Sequence, residues 1–240
     1  MKKLTIILLL STAFLVSHKP IEGYLYANFV SEDGGVTLVA YYPFNGNAND
    51  ESGNGYHLTN VGATLTDDRN SNPNSAYNFS GSGQYMYIAQ QILNLNNDFT
   101  IVVWAMGSGV AANDRLIMLH KFSDLSAYTT LIAGGSTSLR GYLRGGDGTF
   151  ISSYFSPGIN NWHMYTIVKT SSSFDIYVDD QYENTTNITG TFNDNDYLSI
   201  GGLYYSGGSL QFWPGIIDDI RIYDEALTSD NITDLYNYTP

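Results

Sequence analysis

The side chains in this chain best suited to chemistry are oxygen donors set in or beside loops. Asn45, Asn47, Asp50 and Ser52 crowd one glycine-rich stretch, and Asp218 and Asp219 stand side by side near the C-terminus. Calcium takes several carboxylate, amide and carbonyl oxygens from looped backbone. Asp50, Asp218 and Asp219 are therefore the candidate ligands of a structural Ca2+ site. The competing reading gives them local work, Asp50 in an Asx-turn and Asp219 paired with Arg221 or capping backbone N–H groups. Asn193-Asp194-Asn195-Asp196 reads as a turn, because it lacks the glycine and the final glutamate of an EF-hand loop.

A second set is aromatic. Trp213, Tyr204, Tyr205 and Tyr142, with Phe212 and Tyr154, are candidates for stacking on sugar rings. Alternate-face aromatics also build sandwich cores, which is the reading for Trp104 and Trp162. Catalytic patterns are missing. The histidines at 18, 57, 120 and 163 form no H-E-x-x-H and no closely spaced pair, and there is no G-x-S-x-G, phosphate loop or dinucleotide fingerprint. His163, beside Trp162, reads as a packing or capping residue, and no catalytic residue is assigned.

The aspartate pair must be positioned by the stretch around it. Ile216, Ile220 and Ile222 fall at even spacing, with Asp219, Arg221 and Tyr223 on the alternate face, as in a strand. A short helix follows. Thr228 suits the N-cap, Asp230 the first turn, and Leu227 and Ile232 the N′ and N4 positions of a hydrophobic staple. Ile232, Leu235 and Tyr236 share one helix face.

This string resembles the closing motif of laminin-G-like jelly-roll domains of the concanavalin A-like lectin/glucanase superfamily, G-x-I-D-D-[IV]-R-[IV]-Y-x-x-A-L-[ST]-x-x-x-I-x-x-L-Y. Asn231 stands where that pattern usually has Glu, so the reciprocal half of a capping box is expected to be lost. Tyr42, Phe44, Gly46, Asn47, Ala48, Asp50 and Ser52 to Gly55 resemble the opening run of the same domains, Y-x-F-x-G-N-A-x-D-x-S-G-N-G. Phe99 to Trp104 and Trp162 to Val168 resemble two of their inner strands. The resemblance spans about residues 37 to 237 and implies an all-β, two-sheet antiparallel jelly-roll sandwich with a short C-terminal helix. Short runs at the spacing of a sandwich agree with it, near 61–65, 75–79, 84–89, 99–106, 115–122, 128–133, 138–143, 149–154, 162–169, 174–179, 183–187 and 197–203.

The superfamily includes glycosidases marked by a strand bearing E-x-D-x-x-E, which brings two carboxylates about 5 Å apart. The glutamates here, at 22, 32, 51, 183 and 225, never form that pattern. In related domains calcium sites are known, and the first and last strands of a jelly roll neighbour each other, so the Asn45–Gly55 loop and the aspartate pair are expected to converge.

Composition sets the partners. A net charge of −13, from 10 Lys and Arg against 23 Asp and Glu, shows no positive face for nucleic acid or an anionic membrane. With no cysteine, thiolate metal sites, disulfides and a lipid-anchored cysteine are excluded. Met1-Lys2-Lys3 and the apolar run Leu4 to Val16 read as a signal peptide, too short to span a bilayer. Cleavage fits after Ala27 (signal 1–27, leader 28–36, jelly roll 37–240) or after Ser17. N-x-[ST] occurs at Asn78, Asn184, Asn187, Asn231 and Asn237. The expectation is a secreted or cell-surface, non-enzymatic domain binding a glycan or an extracellular protein, with structural calcium. The alternatives are a glycoside hydrolase or lyase of the superfamily, and a structural component of a cell surface or matrix.

Overall fold

The computed structural model describes residues 36–239, except 126–127, 136–137, 146–149, 156–157 and 193. The expected signal peptide and nearly all of the leader lie outside these residues. In chain order the strands begin with β1 (Leu38–Tyr42), β2 (Thr59–Val61), β3 (Thr64–Thr66), β4 (Ala76–Ser80), β5 (Tyr85–Ile88) and β6 (Phe99–Gly107). Next come β7 (Arg115–His120), β8 (Tyr128–Gly135), β9 (Ser138–Arg144), β10 (Phe150–Phe155), β11 (His163–Lys169) and β12 (Ser173–Val178). The last are β13 (Gln181–Asn187), β14 (Tyr197–Ile200), β15 (Leu203–Tyr205), β16 (Gly208–Leu210) and β17 (Pro214–Tyr223), followed by helix α1 (Ser229–Asn237).

Two antiparallel sheets carry the fold. The first runs β13-β12-β11-β6-β17-β4-β3, with β1 also on β17, and the second runs β10-β9-β8-β7-β14-β5-β2. The all-β, two-sheet architecture with one C-terminal helix is as expected. Strand periodicity explains the layering. Phe174, Ile176 and Val178 of β12 point inward while their neighbours are half-buried, the period-two alternation of a strand with one wet face. Central β6 is apolar but for Thr100 because both its faces are covered. Ile101, Val103 and Ala105 enter the core between the sheets. Val102 and Trp104 enter a second core beneath α1, with Leu227, Ile232 and Leu235.

The helix start follows its residues. Thr228 Oγ1 accepts from the Asn231 N–H at 3.2 Å, and Leu227 and Ile232 are both buried as a staple. The expected loss of the reciprocal cap does not occur. Asn231 Oδ1 accepts the Thr228 N–H at 3.1 Å, so the shorter amide replaces the glutamate.

Strand β17 departs from simple alternation. Its first half, Pro214 to Ile217, pairs with β4, and its second half, Ile220 to Tyr223, pairs with β1. Between them the register against β6 slips, and Asp219 takes a positive φ of 47°, a conformation that Asp tolerates at a bulge. The extra residue moves the inward face from odd to even positions along the strand. Ile217, not Ile216, joins Ile220 and Ile222 in the core, correcting the even-spaced reading.

Candidate functional site

The loop after β1 is organised by Asp50, which is 5% exposed. Its Oδ1 accepts the N–H groups of Tyr41 and Ser52, each at 2.9 Å. Its Oδ2 accepts the Ser52 hydroxyl and the Tyr56 N–H, each at 2.9 Å. Both carboxylate oxygens are thus committed to holding the loop. Asn47 likewise serves its own turn, accepting the Asn49 N–H and donating to the Asn45 carbonyl.

Asp218 and Asp219 sit at the β17 bulge, where the neighbouring strand changes from β4 to β1. Arg69 fills this junction. Its Nη1 lies 2.6 Å from Asp218 Oδ2 and its Nη2 2.9 Å from Asp219 Oδ2. The guanidinium also lies over the Trp104 ring, 4.4 Å from its centroid. Arg221 completes the cluster, with Nη1 2.8 Å from Asp219 Oδ1 and its guanidinium over the rings of Tyr41 and Tyr238. Arg69 is delivered by a turn built on buried Asp68, whose Oδ1 accepts the N–H groups of Asn70 and Asn72. Burial first, then the adjacent Asp219 carboxylate, pushes Asp218 above the ordinary carboxylate range, against the pull of Arg69.

This donor set does not fit a resident calcium ion. The Asp50 oxygens are used by N–H and O–H donors, and the aspartate pair is met by two guanidinium groups. Among the described residues no group of three His, Cys, Asp or Glu side chains is arranged to hold a metal. The structure does bring β1 beside β17, as expected, yet Asp50 shares none of its hydrogen-bond partners with the pair. Arg69, 149 residues from Asp218, was not singled out in the sequence. The signal available was an arginine in a polar loop of a chain poor in bases, and two adjacent acids needing counter-charge.

The aromatic candidates separate. Trp213 is fully buried in the core between the sheets, so no face of it is open to a ligand. Its expected role in stacking is corrected to packing. Tyr142, Tyr204 and Tyr205 do come to one place, the outer face of the second sheet. Met118, Thr130 and Tyr142 lie opposite one another across β7, β8 and β9, while Leu119, Leu131 and Leu143 point into the core. By the same alternation Tyr85 and Tyr87 of β5 and Tyr197 of β14 share that outer face. The side chain of Tyr154 lies outside the described residues.

The rings there form one half-buried patch. Tyr85 stacks on Tyr204 at 5.1 Å, Tyr87 on Tyr197 at 6.0 Å, and Tyr197 on Phe122 at 4.4 Å between centroids. Phe212 lies against Tyr85. Beside the patch, Tyr142 packs with Tyr128, Met118 and Leu203, with Tyr205 against them. Arg140 donates to the Tyr142 hydroxyl at 2.8 Å. Beneath the rings, His120 and Ser199 are joined at 2.8 Å, and burial pushes the imidazole down to about 4, so it is neutral at pH 7. Tyr85, Tyr87 and Tyr197 were missed; the alternation Tyr85-Met86-Tyr87 was their available signal. A separate cavity of about 390 Å³ opens near Val39, Asn54, Tyr56, Asn97, Asp98 and Asp224.

Residues 80–233, which include this patch and the whole of β17, match Laminin_G_3 of the concanavalin A-like lectin/glucanases superfamily. The chain belongs to this family. No curated protein sequence matches it significantly. This laminin-G-like chain is similar in fold to domain 4 of AbnA, a GH43 extracellular arabinanase from Geobacillus stearothermophilus solved with arabinotriose. That match has a TM-score of 0.68 at 17% identity and covers 84% of this chain and 99% of the other. The receptor binding domain of botulinum neurotoxin C/D mosaic serotype is similar at a TM-score of 0.67 and 14% identity, over 83% of this chain and 51% of that one. The binding domain of Paraclostridial Mosquitocidal Protein 1 gives 0.68 and 17%, over 84% and 52%. The laminin-G-like chain thus spans about half the length of these toxin domains.

Proposed function

We propose that the protein is an exported, non-enzymatic carbohydrate-binding domain whose ligand lies on the outer face of the second sheet. The observation that carries this is the contiguous, half-buried patch of Tyr85, Tyr87, Phe122, Tyr197, Tyr204 and Phe212. Tyrosine offers apolar area and a hydroxyl at little entropic cost, which suits a surface that must meet both the faces and the hydroxyls of sugars. The outer face of the first sheet is used differently, being packed under α1. A non-enzymatic reading is supported by the carboxylates bordering the patch. Asp114 accepts the Ala111 N–H and Asp196 the Phe122 N–H, both as turn acceptors. Arabinotriose in complex with domain 4 of the arabinanase adds weight to a saccharide ligand. Export rests on the basic and apolar start of the chain.

The test is affinity electrophoresis of the mature protein through gels containing arabinan, dextran or polygalacturonate. At least one polymer retards it, and Tyr85→Ala with Tyr204→Ala weakens retardation at least tenfold with little change in unfolding midpoint. Release of reducing sugar from any of these polymers would overturn the non-enzymatic reading.

A further inference from the structure

The cavity bordered by Asp98 and Asp224 shares no lining residue with the tyrosine face. It opens where β17 ends between β1 and β6. Tyr223 pairs with Leu38 on one side and with Thr100 on the other. The chain then continues into Asp224, whose N–H donates to the Thr37 carbonyl at 3.3 Å, while Asp98 stands just before β6. Both aspartates thus flank the same end of one strand pair, and both line a volume of about 390 Å³. That falls in the range of small-ligand pockets, roughly 300–1,000 Å³.

The walls are fixed from behind. Asn54 Nδ2 donates to the Leu38 and Val39 carbonyls at 3.2 and 2.9 Å, which ties one wall to β1. The opposite wall, residues 91–98, is held by two buried side chains. Lys169 Nζ donates to the Asn96 and Asn97 carbonyls at 2.9 and 2.8 Å, and Asn195 Nδ2 to the Leu93 carbonyl at 2.7 Å. The buried part of the lining, Val39, Ile92 and Leu93, is apolar, and Tyr56 adds a half-buried ring. Above this floor are polar groups that the fold itself does not use. Among the described residues, none hydrogen-bonds to the carboxylates of Asp98 and Asp224 or to the side-chain amide of Asn97. Asp50, by contrast, gives both its oxygens to its own loop. Asp98 does lie near enough to Lys169 to support the ammonium charge that burial opposes.

We propose that this cavity is a second ligand site, one that holds a single neutral sugar residue, free or at the end of a glycan. At neutral pH a carboxylate only accepts hydrogen bonds, so its partner must bring donors. Adjacent sugar hydroxyls offer one to each carboxylate oxygen, and bonds to a charged acceptor are the strong ones. The Asn97 amide both donates and accepts, which suits a hydroxyl. An apolar floor with a few placed polar groups matches a ring that has a C–H face and a hydroxyl rim. A simple ammonium ion would use the carboxylates and leave the floor and the amide idle. Calcium takes six to eight oxygens, and these two side chains are a poor start toward that shell. A hollow also suits a chain end, whereas the open sheet suits the interior of a polymer. The proposal does not rest on the tyrosine face, and either site can fail without the other.

The test is saturation-transfer NMR on the mature protein with arabinose, xylose, galactose, glucose and mannose as probes, each titrated through the millimolar range. Expected is saturable binding of at least one of them. Asn97→Ala with Asp224→Ala weakens that binding at least tenfold. The unfolding midpoint holds, because both side chains are exposed and outside the hydrogen bonds of the fold. Asp98→Ala is the second variant and weakens binding as well. Retardation of the double variant in polysaccharide gels matches that of the parent protein, which separates this site from the tyrosine face. Absence of saturable binding by all five sugars would overturn the proposal, as would binding that survives Asn97→Ala with Asp224→Ala. Displacement of the sugar by an equal concentration of ethanolamine would overturn it too, marking a cation site.

Discussion

Replacing Arg69 with methionine isolates what the ion cluster contributes. Arg69, Asp218 and Asp219 have side chains only 7%, 3% and 2% exposed, so none has water to fall back on. With both arginines present, two negative and two positive charges balance. Arg69→Met keeps much of the apolar contact over Trp104 but leaves two adjacent buried carboxylates facing Arg221 alone. Removing one partner of a buried pair costs about 3–5 kcal/mol, because the other charge is stranded. For a domain of this size that corresponds to a fall in unfolding midpoint of roughly 6–20 °C.

The deficit also depends on pH. Burial and Asp219 already raise Asp218, and losing Arg69 raises it further. A carboxyl whose folded pKa exceeds its unfolded value favours the fold below the unfolded pKa and loses that contribution as pH rises through the folded one. Arg69→Met therefore recovers part of its deficit on acidification from neutral pH toward about 4, near the unfolded value for Asp. Adding Asp218→Asn restores neutrality and should return at least half of the loss. The assay is urea unfolding followed by tryptophan fluorescence, since Trp104 packs against both Arg69 and Tyr236. A loss below about 1 kcal/mol, or a double variant equal to the sum of its singles, would refute the coupling argument.

Three further outcomes are expected. His120 is fully buried and its folded pKa of about 4 lies below the ordinary 6.5, so stability present above pH 6.5 is lost as pH falls toward 4. The contribution is on the order of 3 kcal/mol, and pH-dependent melts of His120→Phe should lack this component. Gly215 has φ +148° and a Cβ there would stand 2.1 Å from the Met106 carbonyl, so Gly215→Ala should cost about 3–5 kcal/mol by urea unfolding. Calcium and chelator should give the same unfolding midpoint, because the oxygens of Asp50, Asp218 and Asp219 are already engaged. A calcium-dependent rise lost in Asp50→Ala would reinstate the metal site.

What was legible in the sequence was local. Thr228, Leu227 and Ile232 announce a capped and stapled helix because all three act within one turn. Strand placement was legible for the same reason, although the expected 61–65 run divides at Gly62 and Ala63 into β2 and β3. What was hidden depends on partners far away in the chain. The Asp219 bulge exists where β17 passes from β4 to β1, and the charge it exposes is met by an arginine 150 residues earlier. Spacing along β17 contains neither fact. Tyrosines gave the same difficulty in another form. Tyr165, Tyr204 and Tyr85 all sit in or beside strands, and only the sheet order separates the first, in the core, from the other two, on the open face.

On the proposed reading, the two outer faces of the sandwich divide stability from recognition. On the first sheet, α1 buries Trp104, Tyr223 and Leu235 in a second core, and the arginine–aspartate cluster ties the β3–β4 loop and β17 to it. The acids of that cluster are met by arginines of the same chain. On the second sheet the rings of Tyr85, Tyr87, Tyr197 and Tyr204 stay half-buried. Folding alone gives little reason for that arrangement, since each half-buried ring forgoes part of its transfer free energy. A saccharide that covered the rings would recover it. The cost left uncompensated in the free protein is thus the physical ground for placing recognition on this face.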